Sequence, residues 1–199
     1  GPSLQLSDLE GLQKKGEITF GCNLVTKVFG ETSWRPDYYF LIDRICAKFQ
    51  SEEINHAIGE IPLFTNITTY NIFREKPKNP VILYNIAKDK YKVKRSPLAY
   101  YIPSGSTVMS LMIEMAVYMG FSEIYLIGCD CTSTFSGNTH FIKGYTDDKL
   151  KARDAKKIID RMRRLGIQSD DYEKYFLDGS LNAYTLLKEH AIKHGVTIY

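Results

Sequence analysis

The chain has 199 residues, 44% of them hydrophobic, which is enough for one sizeable core in a single domain. Its 26 basic residues against 23 acidic ones leave a net charge of +3, too even for the strongly basic face that nucleic acid requires. No apolar run approaches the ~18 residues of a membrane span, and no signal peptide is legible.

In chain order, "LSDLEGLQKKG" reads as a helix capped by Ser7, with Leu9 and Leu12 on one face and Gly16 as its stop. "EITFGC" reads as a strand ending at Asn23, and "DYYFLID", residues 37–43, as a second strand closed by Asp43. "RICAKFQSEEINHAI" reads as one helix, and "PVILYNI", residues 80–86, as a third strand. Residues 87–103 are basic and aromatic with Pro97 and Pro103, and read as a surface excursion or lid in the form of a hairpin. "SGSTVMSLMIEMAVYMG" carries the clearest helical spacing, on Val108, Leu111, Met112, Met115 and Met119. Ser104 to Thr107 offer its N-cap, and Gly120 ends it.

"SEIYLIG" reads as a fourth strand, apolar on both faces as in a covered parallel sheet. "TDDKLKARDAKKIIDRMRRLG" reads as a basic amphipathic helix built on Ala155, Ile158, Ile159 and Met162. "SLNAYTLLKEHAIKHG" is the last helix, with Leu181, Tyr184, Leu187 and Ala191 inward, and "VTIY" begins another strand. The opening "GP" reads as a cleavage scar, and both ends as clipped. The four cysteines, Cys22, Cys46, Cys129 and Cys131, read as reduced core residues rather than a disulfide frame.

Strands alternating with helices predict an α/β class: one Rossmann-like domain over residues 1–199, its mainly parallel sheet flanked by helices. Ligands of such sheets bind beyond the carboxyl ends of the strands. Asn23, Asp43 and Asp130 all follow apolar runs, so they are expected on one edge. The amino end of the helix that opens at Ser104 is expected there too, with free N–H groups suited to a phosphate. Each feature has a plainer reading. "PSGSTV" is also a good N-cap, Asn23 and Asp43 could cap strand ends, and His140 could be a loop bystander near Asp130. Cys129, Cys131 and His140 offer three metal ligands at a spacing untypical of zinc. The basic run from Lys149 to Arg164 could face anionic lipid, but Asp147, Asp148, Asp154 and Asp160 balance it, which favours a solvated face.

"GPSL", "ITFGCN", "WRPDYYFLID", "GSTVMSLMIEMAVYMGFSEIYLIGCD" and the following "HF" together resemble a bacterial domain family of cell-surface polysaccharide loci. That family is labelled by analogy with archaeal 6-hydroxymethylpterin diphosphokinase. It is distantly similar to the bacterial lipooligosaccharide sialyltransferases of glycosyltransferase family forty-two. The resemblance implies that Gly1 to Leu4 are the tail of a nucleotide-receiving loop after a preceding strand. It implies that Asn23 and Asp43 contact the donor, that Ser104 and Gly105 lie at the donor phosphate, and that Asp130 lies near the nucleotide. His140 is implied to deprotonate the acceptor hydroxyl. The sialyltransferases carry tyrosines after the aspartate to support the leaving phosphate. This chain has Thr132 there, then Phe135 to Asn138, with Tyr145 farther on.

The expectation is therefore a nucleotide-sugar-dependent, inverting, sialyltransferase-like glycosyltransferase of bacterial surface polysaccharide synthesis. His140 and Asp130 form the expected catalytic pair. Gly1, Pro2, Ser3, Asn23, Asp43, Ser104, Gly105, Ser106, Thr107, Gly128 and Asp130 form the expected nucleotide site, with no metal held by the protein. A CMP-linked sugar is the preferred donor and a glycan the acceptor. No cofactor is obligatory, and Mg²⁺ stays an option. A cytoplasmic location is expected, with peripheral association at the inner membrane face and oligomerisation both left open. Two other readings stand beside this one. The first is a Mg²⁺- and ATP-dependent diphosphotransferase of the pterin kinase type, with Asp43 or Asp130 as metal ligands. The second is a non-catalytic nucleotide- or glycan-binding module.

Overall fold

A computed structural model describes residues 1–87, 99–101, 107–131, 156, 159–160, 162–168 and 171–199. The chain opens with α1 (Leu6–Lys15), whose Leu9 packs on Val28, Phe29 and Trp34. Five short strands then lie side by side in sequence order, every neighbouring pair parallel. They are β1 (Phe20–Cys22), β2 (Tyr38–Phe40), β3 (Leu63–Asn66), β4 (Val81–Ala87) and β5 (Ala99–Tyr101). Between them run α2 (Arg44–Phe49), α3 (Ser51–Ile58) and the single turn α4 (Ile67–Tyr70).

Side chains of successive strand residues point to opposite faces, so each strand feeds two cores. On one face Tyr39, Leu41 and Leu63 pack against Cys46 and Ala47 of α2 and Ile54 and Ile58 of α3. On the other, Phe40 and Phe64 meet Val108, Leu111, Met112 and Met115 of α5 (Val108–Tyr118). A ladder of rings crosses this second face, Phe20 over Phe40 at 5.2 Å and Phe40 over Phe64 at 4.6 Å. Each such side chain contributes about 1.5–3 kcal/mol on full burial, so these two layers fix the sheet.

α5 carries the chain back across the sheet. Gly120 takes the left-handed φ of 86° that ends it, and Phe121 comes to rest 5.7 Å from Phe20 of β1. β6 (Glu123–Ile124) follows and pairs in parallel with β7 (Thr197–Ile198) in a separate two-stranded sheet. Between them runs α6 (Tyr172–Lys193). Ile113 of α5 packs with Leu187 and Ala191 of α6 and Val196 and Ile198 beside it. Helix α5 thus serves both sheets. The chain then returns past β1 into the second sheet, and ligands of parallel α/β sheets bind beyond the carboxyl ends of the strands.

The α/β class and the parallel sheet flanked by helices are as the sequence implies, but several details differ. β3 and α4 were absent from the sequence reading: Leu63–Asn66 is a four-residue run buried throughout, with no alternation to mark it. The helix expected from Arg44 to Ile58 is two helices, because the chain leaves helical geometry at Gln50. The N-cap of α1 is Gln5, which exchanges hydrogen bonds with Asp8, not Ser7. Within residues 87–103, Ala99–Tyr101 runs parallel to β4, where a hairpin would run antiparallel. Met162 is buried as expected but Ile159 is exposed. Leu181 is 50% exposed, and Ser180 and Ala183 fill the inward positions of that turn instead. The fourth expected strand keeps strand geometry at Glu123–Ile124, with one further bond from the Leu126 N–H to the Tyr199 carbonyl at 3.0 Å. Ile124 and Leu126 pack inward, while Tyr125 is 65% exposed and stacks on Tyr199 at 4.6 Å. Ala155, Ile158 and Tyr145 lie outside the described residues. Among the described residues no helix is long and apolar enough to cross a membrane.

Candidate functional site

The carboxyl ends of β1, β2, β3 and β6 and the amino end of α5 all carry polar side chains. β1 ends in Asn23, which takes a left-handed φ of 50°. Asparagine tolerates this conformation better than most residues, because its short amide can bond locally. Here the backbone carbonyl accepts from the Tyr39 hydroxyl, but the buried side-chain Oδ1 has no hydrogen-bond partner among the described residues. Beyond β6, Gly128 has φ 65° and Cys131 has φ 54°, so the chain turns sharply on both sides of Asp130.

The amino-terminal residues complete this corner. The Asp130 Oδ2 accepts from the Ser3 backbone N–H at 3.0 Å and lies 3.8 Å from the Gly1 nitrogen. The Gly1 nitrogen donates to the Gly128 carbonyl. Hydrogen bonds from Ser3 hold the Asp130 carboxyl below its ordinary range. Gly128 is required twice over. A Cβ there would sit 3.1 Å from both the Gly1 nitrogen and the Leu4 Cβ, on a backbone that L side chains rarely adopt.

α5 is capped by Thr107, whose Oγ1 accepts from the Met109 N–H at 3.2 Å. The same oxygen lies 3.4 Å from the hydroxyl of Tyr184, which α6 brings in. Burial pushes the Tyr184 phenol up to about 12, so it stays a proton donor near neutrality. Its electrostatic neighbours are Cys129, Cys131 and Cys22, which places the end of β1, the cap of α5 and the turn after β6 around one corner. Burial likewise pushes the Cys22 thiol to about 12 and the Cys129 thiol to about 11. All four cysteines are free thiols.

β2 is followed by Asp43, one strand away from Asn23. Its Oδ1 accepts from the Ile45 N–H at 2.6 Å and the Cys46 N–H at 3.3 Å, capping α2. The plainer role is thus filled by one of its two oxygens. β3 ends in Asn66, which accepts from the Thr69 N–H at 2.8 Å, while Thr65 and Thr69 donate to the carbonyls of Leu41 and Ile42. These bonds knit the edge together.

Of the residues expected at the site, Gly1, Ser3, Asn23, Thr107, Gly128 and Asp130 share this corner and Asp43 stands on the adjoining strand end. Ser104, Gly105, Ser106 and His140 lie outside the described residues. Tyr184 is the residue the sequence reading missed. It was placed inward on its helix, and nothing in the local pattern tied it to Thr107. Among the described residues no three His, Cys, Asp or Glu side chains are grouped to hold a metal ion. A Mg²⁺ carried by nucleotide phosphates needs only one or two carboxylates, which Asp43 and Asp130 could supply.

Residues 1–135 match the family model described as 6-hydroxymethylpterin diphosphokinase MptE-like. No curated protein and no solved structure matches the chain. The first part of the resemblance read from the sequence thus has support, while the likeness to sialyltransferases has none from these comparisons. The match covers every expected site residue except His140, which lies beyond it.

Proposed function

The chain belongs to the 6-hydroxymethylpterin diphosphokinase MptE-like family, and from that premise we propose that it is a transferase whose phosphate-bearing nucleotide donor lies at the corner between β1 and β6. The observation that carries this reading is the meeting of the Gly1–Ser3 turn, Asn23, Asp130 and the Thr107–Tyr184 pair around one corner, between the end of β1 and the turn after β6. Asn23 and Asp43 offer side-chain groups to the sugar hydroxyls and base edge of a nucleotide. The amino end of α5, with the Tyr184 hydroxyl beside it, offers donors to phosphate oxygens. Asp130 acts on the backbone of the Gly1–Ser3 turn, so its role is to position that turn.

The reaction we prefer is glycosyl transfer from a nucleotide-sugar, CMP-linked by preference, to a glycan hydroxyl. His140 would take the acceptor proton as the new glycosidic bond forms. Thr107, Tyr184 and the helix terminus would stabilise the nucleotide phosphate as it leaves with the bonding electrons. The family description favours a second reading, diphosphate transfer from ATP to a hydroxymethyl acceptor. There Asp43 or Asp130 would hold the Mg²⁺ that neutralises the phosphate charge.

A thermal-shift screen of CMP, UDP, GDP and ATP, each with and without Mg²⁺, separates the two. A nucleotide at 100 times its dissociation constant stabilises the folded state by about 2.7 kcal/mol. Stabilisation by CMP without metal supports glycosyl transfer, and stabilisation by ATP only with Mg²⁺ supports diphosphate transfer. No shift with any nucleotide would refute both.

A further inference from the structure

Helices α5 and α6 lie side by side, and two polar contacts join them. Thr107 meets Tyr184 at the candidate site, and farther along Glu114 meets His190. Between these contacts the interface is apolar, built on Ile113, Leu187 and Ala191. Glu114 is only 15% exposed, with its Oε2 3.5 Å from the Nε2 of His190. At the carboxyl-terminal cap of α6, the His194 ring lies 4.6 Å from that of His190. A carboxyl group enclosed between helices with two imidazoles as its neighbours has no role in packing an otherwise apolar seam.

We propose that Glu114, His190 and His194 form a proton-operated clamp that holds α6 against α5 and so keeps the Tyr184 hydroxyl at Thr107. Among the described residues, the titratable groups facing Glu114 are His190 and His194 of α6, and Lys193 acts on His190. Burial pushes the Glu114 carboxyl up to about 7, with His194 opposing, while burial and then Lys193 push His190 down. Near neutrality the carboxyl and the imidazole therefore compete for one proton. Either the carboxylic acid donates to the neutral ring, or the imidazolium pairs with the carboxylate. At higher pH that proton is lost, and a carboxylate remains in the seam facing a neutral His190 ring.

The sign follows from linkage. The folded value for Glu114, about 7, lies above its ordinary 4.5. Its contribution to docking is full below the ordinary value and is lost as pH rises through 7. His190 acts in the opposite sense. Its folded value is lowered, so protonating it as pH falls opposes the docked state and closes the window from below. Docking is then strongest in mildly acidic solution and weakens as pH rises through neutrality. The clamp stands whatever the site binds.

Amide hydrogen exchange along α6, corrected for the intrinsic pH dependence of exchange, reads the docking directly in the full chain. From pH 6 to pH 8.5 the protection of wild-type α6 relative to Glu114→Gln is expected to fall about tenfold, since Gln mimics the protonated carboxyl. Identical pH slopes in the two proteins would overturn the clamp. Should Glu114→Gln fail to fold, a carboxyl carbon NMR titration of the wild-type protein decides. A Glu114 midpoint near 7 supports the proposal, and one below 5 overturns it.

Discussion

Replacing Thr107 by valine removes one oxygen and keeps the shape of the side chain. That oxygen accepts from the Met109 N–H at 3.2 Å and lies 3.4 Å from the Tyr184 hydroxyl. Loss of an N-cap costs about 1 kcal/mol. The longer hydroxyl contact contributes less, about 0.5 kcal/mol. The sum, about 1.5 kcal/mol, lowers the melting temperature of a domain this size by about 3–6 °C. Urea unfolding of Thr107→Val, Tyr184→Phe and the double variant measures both parts. The single Tyr184→Phe change should cost less than Thr107→Val, and the double variant should cost less than the sum of the two. Strict additivity would show that the two hydroxyls do not interact, and the link between α6 and the site would fall. The same variants test binding. If Thr107 faces phosphate, affinity for the most stabilising nucleotide drops while the fold stays intact.

Three further outcomes are expected. Asp43→Ala should destabilise by about 1 kcal/mol through loss of the α2 cap, whereas Asp43→Asn keeps an acceptor and should cost only a few tenths. If nucleotide affinity is also unchanged in Asp43→Asn, the residue is a cap alone. Cys22, whose thiol burial pushes up to about 12, should alkylate more slowly than a free thiol at pH 8. Peptide mass spectrometry checks this, and fast labelling of Cys22 would contradict the buried corner. His140→Ala should lower turnover by ~10²-fold or more with nucleotide affinity nearly unchanged. Unchanged turnover retires His140 as the base.

The legible parts of the fold were those with strong periodicity. Val108, Leu111, Met112 and Met115 announce α5 because one helix face meets one sheet face. The polar positions Asn23 and Asp43, just past β1 and β2, are legible for a related reason: the apolar run stops where burial stops. β3 was not legible, since a short strand buried on both faces has no alternating pattern and Pro62 precedes it. The break at Gln50 was hidden because both helices keep their apolar spacing across it. Tyr184 was unreadable as a site residue because its partner Thr107 is 77 residues away. Only the packing of α6 on α5 brings the two together, and that packing is centred on Leu187 and Ala191, with Tyr184 partly buried against the same cluster.

Asn23 combines two costs that a structural residue would avoid. It holds a left-handed backbone, and it buries an acceptor oxygen that has no partner among the described residues. An unpaired buried polar group costs about 1–3 kcal/mol. The left-handed backbone costs a non-glycine residue a further 1–2 kcal/mol, less for asparagine. Strain of this kind persists where the surrounding structure over-determines it, and it gathers at sites that wait for a ligand. Glycine would relieve both costs, at a penalty of about 0.5–1 kcal/mol for its greater freedom when unfolded. Asn23→Gly is therefore expected to stabilise the unliganded protein by about 1 kcal/mol in urea unfolding. A ligand group that donates to Oδ1 would remove the same penalty in the wild type, so the variant should also bind nucleotide more weakly. Stabilisation together with weaker binding ties the orphan oxygen to the ligand. Destabilisation by more than about 1 kcal/mol, beyond what glycine's extra freedom explains, would mean that the Asn23 side chain already holds the fold, and the corner would lose its best argument for a bound nucleotide.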